Sequence, residues 1–296
     1  MSISPKDIVA SLMEALPHVQ IWRDKTLVVK IGGAAMTKDA LIEAITEDIV
    51  LLGAVGVRVV LVHGGGNAVS DLGRKLGLEP RFVDGLRVTD DQTMRIAQMV
   101  HIGGLSRDLV AAIGRKGGRA LGLSGHDGGG WLRAKARSHT PRGELEPISL
   151  GRVGDITEVD VSMLNAALDA SMVPVVAPVA VDEELASLNV NADSVATAIA
   201  AALKADKLIF LTDVPGILDA EGEVTSEVDK AQLKAWIDTG TVSGGMIPKA
   251  EACLEALEGG VERVTVADGH LEHGLLLELL TDAGIGTMIC AGAKLE

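Results

Sequence analysis

The sequence predicts an α/β fold, a mostly parallel sheet covered by helices on both faces. Three observations point there. Apolar, β-branched runs at Leu27 to Ile31, Val57 to Val62, Val173 to Val179, Lys207 to Leu211 and Val261 to Val266 are continuous rather than alternating, as strands buried on both faces require. Between them lie longer stretches with apolar residues at three- and four-residue spacing: Asp39 to Leu52, Asp90 to Val100, Val161 to Ala170, Ala192 to Leu203, Lys249 to Leu257 and Leu271 to Leu280. Glycine-rich turns join strand to helix at Lys30-Ile31-Gly32-Gly33 and at His63-Gly64-Gly65-Gly66-Asn67. Repeated strand–helix alternation makes a parallel sheet, and ligands bind beyond the carboxyl ends of its strands.

Composition narrows the function. With 296 residues, 47% of them hydrophobic, the chain can bury a large core. A formal net charge of −14 opposes sequence-independent nucleic-acid binding, and 2% aromatic content removes the stacking platforms that single strands need. No apolar run reaches membrane-spanning length and no signal core opens the chain, so a cytoplasmic protein is expected. Cys253 and Cys290 lack metal-ligand spacing and read as buried structural thiols.

Two segments break the rhythm. Asp127 to Pro147, with its triple glycine and the basic residues Arg133, Lys135 and Arg137, predicts a β-hairpin excursion. Ala180 to Leu188 is a polar break that suggests a boundary between two halves. At the start, Ser4 to Pro17 predicts a helix. Ser4 can cap it, Pro5 suits its first position, and Ile8, Val9, Leu12, Met13 and Leu16 form an apolar stripe.

The two glycine loops can bring backbone N–H groups and helix N-termini to an anion. Neither a Gly-x-x-x-x-Gly-Lys-Ser/Thr nor a Gly-x-Gly-x-x-Gly spacing occurs, which argues strongly against P-loop and dinucleotide-binding readings. His63-Gly64-Gly65-Gly66 is similar to the oxyanion loop of α/β-hydrolases, but the nucleophile elbow is missing: Gly122-Leu123-Ser124-Gly125-His126 lacks its final glycine. Asn189-Val190-Asn191-Ala192-Asp193 opens a helix, where N-capping is the plain function of Asn or Asp. Thr212 to Leu218 follows a strand, and Gly244-Gly245-Met246-Ile247-Pro248-Lys249 opens another helix.

Taken in order, Lys30 to Gly33, Val62 to Gly66, Val83 to Thr89, Asn189 to Asp193, Leu211 to Leu218 and Gly245 to Lys249 resemble the motifs of the amino acid kinase family. The resemblance runs from Thr26 to Ile289. It implies an open three-layer α/β/α sandwich, with residues 26–180 holding and dimerising around the acceptor, residues 181–296 holding ATP with Mg2+, and residues 1–25 as a helical extension for assembly. The Asp84 to Thr89 loop points to N-acetyl-L-glutamate as acceptor, with carrier-linked aminoadipate as the alternative. Departures are Ala34 and Ala35, His101-Ile102-Gly103-Gly104, and Thr265, where arginine-inhibited relatives often carry His.

The resemblance also implies roles. Lys30 and Lys249 neutralise the transferring phosphoryl group, Gly33 and Gly65 donate backbone N–H bonds to it, and Asp193 orients both lysines. Gly65, Gly66, Arg87, Asn189 and Asn191 form the acceptor site, with Arg87 suited to hold a carboxylate bidentately. Asp213, Gly216, Leu218, Ser243 and Met246 surround the nucleotide. No protein metal ligand is expected, because magnesium rides on the phosphates. Glu278 and Gly284 match an arginine-feedback site, and the N-terminal helix implies a hexamer built as a trimer of dimers. His63, His126, His139, His270 and His273 are left as structural or solvent-facing.

Overall fold

The computed structural model describes residues 4–32, 36, 38–140, 146–282 and 284–292. In chain order the first half contains α1 (Pro5–Trp22), β1 (Thr26–Ile31), α2 (Asp39–Ala54), β2 (Arg58–His63), α3 (Gly66–Lys75), β3 (Phe82–Val83), β4 (Leu86–Arg87), α4 (Asp91–Gln98) and α5 (Ser106–Arg115). Then come β5 (Ala120–Leu123), β6 (Leu132–His139), β7 (Ile148–Val159), α6 (Ser162–Asp169), β8 (Val173–Val176), β9 (Val179–Val181) and β10 (Ser187–Asn189). The second half holds α7 (Ala192–Leu203), β11 (Lys207–Thr212), β12 (Glu227–Asp229), α8 (Lys230–Thr239), α9 (Ile247–Glu258), β13 (Arg263–Asp268), α10 (Gly274–Leu280) and β14 (Gly286–Cys290).

The main sheet has eight strands in the order β12-β14-β13-β11-β1-β2-β8-β5. From β13 to β5 every pairing is parallel; β14 lies antiparallel to β13. Successive side chains of a strand point to opposite faces, and here both faces are core. Val28, Val60, Val62, Leu208 and Phe210 pack with α7 and α9 through Val195, Ile199, Ala250 and Cys253. Leu27, Val29, Ile31, Leu61, Ile209 and Leu211 pack on the other side with Ile45 and Ile49 of α2, Leu109 of α5 and Leu275 of α10. That two-sided burial is why the strands read as unbroken apolar runs.

Some elements depart from expectation. The run from Val173 to Val179 is two strands: β8 stays in the main sheet, and after Pro178, which has no N–H to give a ladder, β9 enters a small barrel ordered β10-β7-β6-β9. The hairpin excursion forms that barrel through β6 and β7, with Pro141 to Leu145 outside the described residues. The polar stretch at Ala180 to Leu188 is not a linker: its ends belong to β9 and β10, which pair antiparallel, and only residues 182–186 form the turn between them. The N-terminal helix does not stop at Pro17 but continues to Trp22; Ser4 caps it in a reciprocal box with Asp7, and Pro17 is carried inside. Cys253 is buried, and burial pushes its thiol up to about 12. Cys290 is only half-buried, its thiol donating to the Gly292 carbonyl at 3.0 Å.

Candidate active site

Alternation along β1 sets the first catalytic candidate. Val29 and Ile31 face the α2 side, so Lys30 shares the opposite face with Val28, toward α7 and α9. Asp193 sits in the first turn of α7, and Lys249 in the first turn of α9, where Pro248 takes a position that needs no N–H partner. The three side chains converge. Lys30 Nζ is 2.7 Å from Asp193 Oδ1, and Lys249 Nζ is 2.9 Å from Oδ2. The Phe210 ring underlies Lys249 at 5.2 Å. Burial pushes the Asp193 carboxyl up, but the two ammonium groups more than offset this and hold it below the usual carboxylate range. One carboxylate between two cations leaves a unit of positive charge at the carboxyl end of the sheet. Gly32 makes room for it, since a Cβ there would lie 2.5 Å from Lys30 Nζ. Gly33 lies outside the described residues.

Beside the triad is a cleft of about 240 Å3 lined by Gly64, Gly65, Gly66, Arg87, Asn189 and Asn191, among others. Gly65 adopts φ 144°, closed to other residues, and a Cβ there would collide with Leu105. α3 then starts at Gly66 with no side-chain cap, so its first N–H groups lie uncapped beside the cleft that Gly64, Gly65 and Gly66 line. Arg87 is fixed before any ligand arrives: Nη2 donates to the Gly66 carbonyl at 2.7 Å and to Ser70 Oγ at 2.8 Å, and the guanidinium lies 4.7 Å from the Phe82 ring centre. Burial, then Arg74, lower its pKa. The turn carrying Arg87 has a local cause. Asp84 (φ 47°) and Gly85 (φ 81°) are both left-handed, the combination a two-residue hairpin between β3 and β4 demands. Asn189 Nδ2 donates to Thr89 Oγ1 at 3.3 Å, tying β10 to the same loop. Asn191 caps α7, its Oδ1 accepting from Asp193 N–H at 2.7 Å, so the capping role is met by a residue that also lines the cleft.

The Amino acid kinase family model matches residues 25–268. An acetylglutamate kinase of Symbiobacterium thermophilum is 48% identical over 286 residues, 96% of this chain and 97% of that protein. One of Novosphingobium aromaticivorans is 44% identical, covering 95% of each. The chain belongs to the amino acid kinase family, in its acetylglutamate kinase branch. Among solved structures, N-acetylglutamate synthase from Neisseria gonorrhoeae, complexed with coenzyme A and N-acetyl-glutamate, superposes with a TM-score of 0.83 at 28% identity. The match covers 97% of this chain but only 64% of the synthase. Carbamate kinase from Giardia lamblia bound to AMP-PNP shares the fold, with a TM-score of 0.64 at 16% identity over 90% of this chain.

The remaining candidates of this amino acid kinase divide. Asp213, Gly216 and Leu218 follow β11, which is parallel to and in register with β1, so they leave the sheet at the same end as the Lys30 loop. Ser243 and Met246 immediately precede α9 and hence Lys249. Asp213 and Ser243 are exposed, whereas Gly216 is buried against Thr287 and Val224 and Met246 packs on the main core. Glu278 is elsewhere, in a closed cluster. Its Oε1 is 2.6 Å from Lys207 Nζ and accepts from Thr265 Oγ1 at 2.8 Å; its Oε2 accepts from Ile285 N–H at 2.9 Å. Gly284 (φ 60°) adjoins that carboxylate. His63 is fully buried at its strand end, and burial holds its pKa down to about 4. Sequence reasoning did not place Ser70 and Phe82 around Arg87, because nothing in their spacing links them to it.

Proposed function

We propose that this chain catalyses ATP-dependent phosphorylation of the γ-carboxylate of N-acetyl-L-glutamate, giving N-acetyl-L-glutamyl 5-phosphate, the second step of arginine biosynthesis. The observation that carries the reading is the Lys30–Asp193–Lys249 triad beside a cleft whose wall holds an immobilised arginine. It is supported by the acetylglutamate kinases that match nearly the whole chain.

The substrates are the acceptor and Mg2+–ATP. A carboxylate oxygen attacks the γ-phosphorus in line, the bond to the β-phosphate oxygen breaks, and ADP departs with the electron pair. The acceptor is ionised at neutral pH, so no base is needed and catalysis is positioning and charge stabilisation. Lys30 and Lys249 neutralise the transferring oxygens, while Asp193 fixes two ammonium groups that their four-carbon stems would otherwise leave loose. Gly33 and Gly65 donate backbone N–H bonds to the same group. Arg87 holds the α-carboxylate with help from Asn189 and Asn191. Asp213, Gly216, Leu218, Ser243 and Met246 receive the nucleotide. The magnesium ion enters on the phosphates, since each Asp193 oxygen already faces an ammonium group. In this reading residues 26–180 form the acceptor half, to whose cleft Asn189 and Asn191 add, and residues 181–296 form the ATP half. No described helix is long and apolar enough to cross a membrane, which is compatible with a cytoplasmic site of action.

Hydroxylamine trapping of the acyl phosphate tests the reaction. N-acetylglutamate is expected to yield hydroxamate with ATP, whereas glutamate and aminoadipate are much poorer; comparable rates with all three would overturn the acceptor assignment.

We further infer assembly through α1 and feedback by arginine. Ile8, Val9, Leu12, Met13 and Leu16 are 41–66% exposed, an apolar stripe that supports a helix joining dimers into a hexamer. Arginine binding at Glu278 would have to reorganise the Lys207 pair. Removing residues 1–17, then comparing solution mass and arginine titrations with the full chain, tests both; an unchanged mass refutes the linking helix.

A further inference from the structure

One polar side chain of the acceptor cleft has no part in the scheme above. His101 lines the cleft with Gly64, Arg87 and Asn189 yet is only 4% exposed. Its position comes from an unusual backbone: α4 ends at Gln98, and Met99–Leu105 continues as a π-helix before α5 resumes at Ser106. A π segment displaces side chains around the helix axis relative to an α-helix and often marks a functional site. Here it turns His101 and Leu105 onto the Gly65 loop. A Cβ built on Gly65 would lie 3.1 Å from His101 Cε1 and 3.2 Å from Nδ1.

One nitrogen of the ring is unsatisfied. Among the described residues its Nδ1 is buried without a hydrogen-bond partner. Buried polar atoms are rarely left so, and such an atom in a binding cleft is a reason to ask what fills it. His63 does not: the ring centroids are 5.9 Å apart, and the Nδ1 of His63 is engaged 2.8 Å from the Gly64 carbonyl. Burial first, then His63 and Arg87, outweigh a hydrogen bond to the Gly64 backbone and hold the His101 pKa down to about 3, so the imidazole is neutral at physiological pH. A neutral imidazole offers one donor and one acceptor nitrogen without adding charge beside Arg87.

We propose that His101 is an acceptor-binding residue, its Nδ1 forming a hydrogen bond to the carboxylate metabolite seated against the Gly65 loop. This rests on the acceptor-phosphorylating function above. The π-helix then has a purpose: it brings a neutral polar group to the Gly65 wall of the cleft that Arg87 and Asn189 also line.

Two measurements test it. His101→Leu removes the nitrogen, and its KM for N-acetylglutamate is expected to rise about tenfold, the scale of one neutral hydrogen bond, with the KM for ATP within about twofold. His101→Gln, which keeps a polar atom, is expected to recover part of that loss. In the full-length wild-type protein labelled with 15N-histidine, N-acetylglutamate without ATP is expected to move the His101 Nδ1 resonance, identified by its loss in the Gln variant. A wild type that turns over N-acetylglutamate while this resonance stays put overturns the inference and leaves the function standing. An acceptor KM unmoved in a folded Leu variant does the same. A wild type that never phosphorylates the acceptor overturns both.

Discussion

The molecule holds two lysine–carboxylate clusters, and they solve opposite problems. At the carboxyl end of the sheet, Asp193 is shared by Lys30 and Lys249, with side chains 12%, 11% and 20% exposed for Lys30, Lys249 and Asp193. At the amino end of β11, Lys207 pairs with Glu278, and the two side chains are 4% and 5% exposed. The second cluster is saturated: Thr265 and the Ile285 N–H take up the rest of the carboxylate, and the Trp22 ring lies 5.5 Å from the ammonium. The first has one cation too many and opens toward solvent. A pair that closes its charge and its hydrogen bonds supports the fold; one that leaves both open is prepared for an anion.

The largest effect should come from breaking the closed pair. Glu278→Ala leaves Lys207 buried against an apolar wall, and burial already lowers its pKa against the pull of Glu278. A loss of about 3–5 kcal/mol is expected in urea unfolding at fixed protein concentration. Replacing both members by Met and Leu should restore most of it, because removal of a whole buried pair is often neutral. If the double variant is as unstable as the single one, the pair is not the electrostatic unit described.

The open cluster should respond in rate rather than in stability. Lys30→Ala and Lys249→Ala are each expected to lower kcat about 100-fold or more, the scale of one lost preorganised donor, with smaller changes in substrate affinity. Arg87→Ala should act mainly on the acceptor's KM, about tenfold, since a carboxylate grip is made equally in ground and transition states. A dominant kcat effect at Arg87 would place it on the transferring group instead.

The contrast also shows what a sequence discloses. The strands were legible because both sheet faces are core, and the Lys30 and Lys249 loops because each lysine adjoins a glycine-rich signal at a strand end or a helix start. Glu278 was legible as a motif, but its partner was not. Lys207 lies 71 residues away and reads as the polar start of a strand. The π-helix at Met99–Leu105 has no sequence code, since the same residues would serve an α-helix, so the orientation of His101 could not be read. Pro17 inside α1 misled for a related reason: a proline near the end of a helix usually stops it.

Asn191 belongs to both kinds of region, which makes it the finest test of the distinction. Its Oδ1 closes the α7 terminus on Asp193 N–H, while the residue itself lines the cleft beside the lysine–aspartate triad. Asn191→Ala removes the cap and should cost about 1 kcal/mol of stability. Asn191→Asp keeps an accepting oxygen at the helix N-terminus, where negative charge is favoured, so stability should return to the wild-type value. The same change replaces an amide N–H2 by a second carboxylate oxygen facing an anionic acceptor. The KM for N-acetylglutamate should therefore rise severalfold in the Asp variant, more in low salt than in high, because the added repulsion is screened. Stability and KM recovering together in that variant would mean that Asn191 only caps, and the acceptor's contacts would then fall to Arg87 and Asn189.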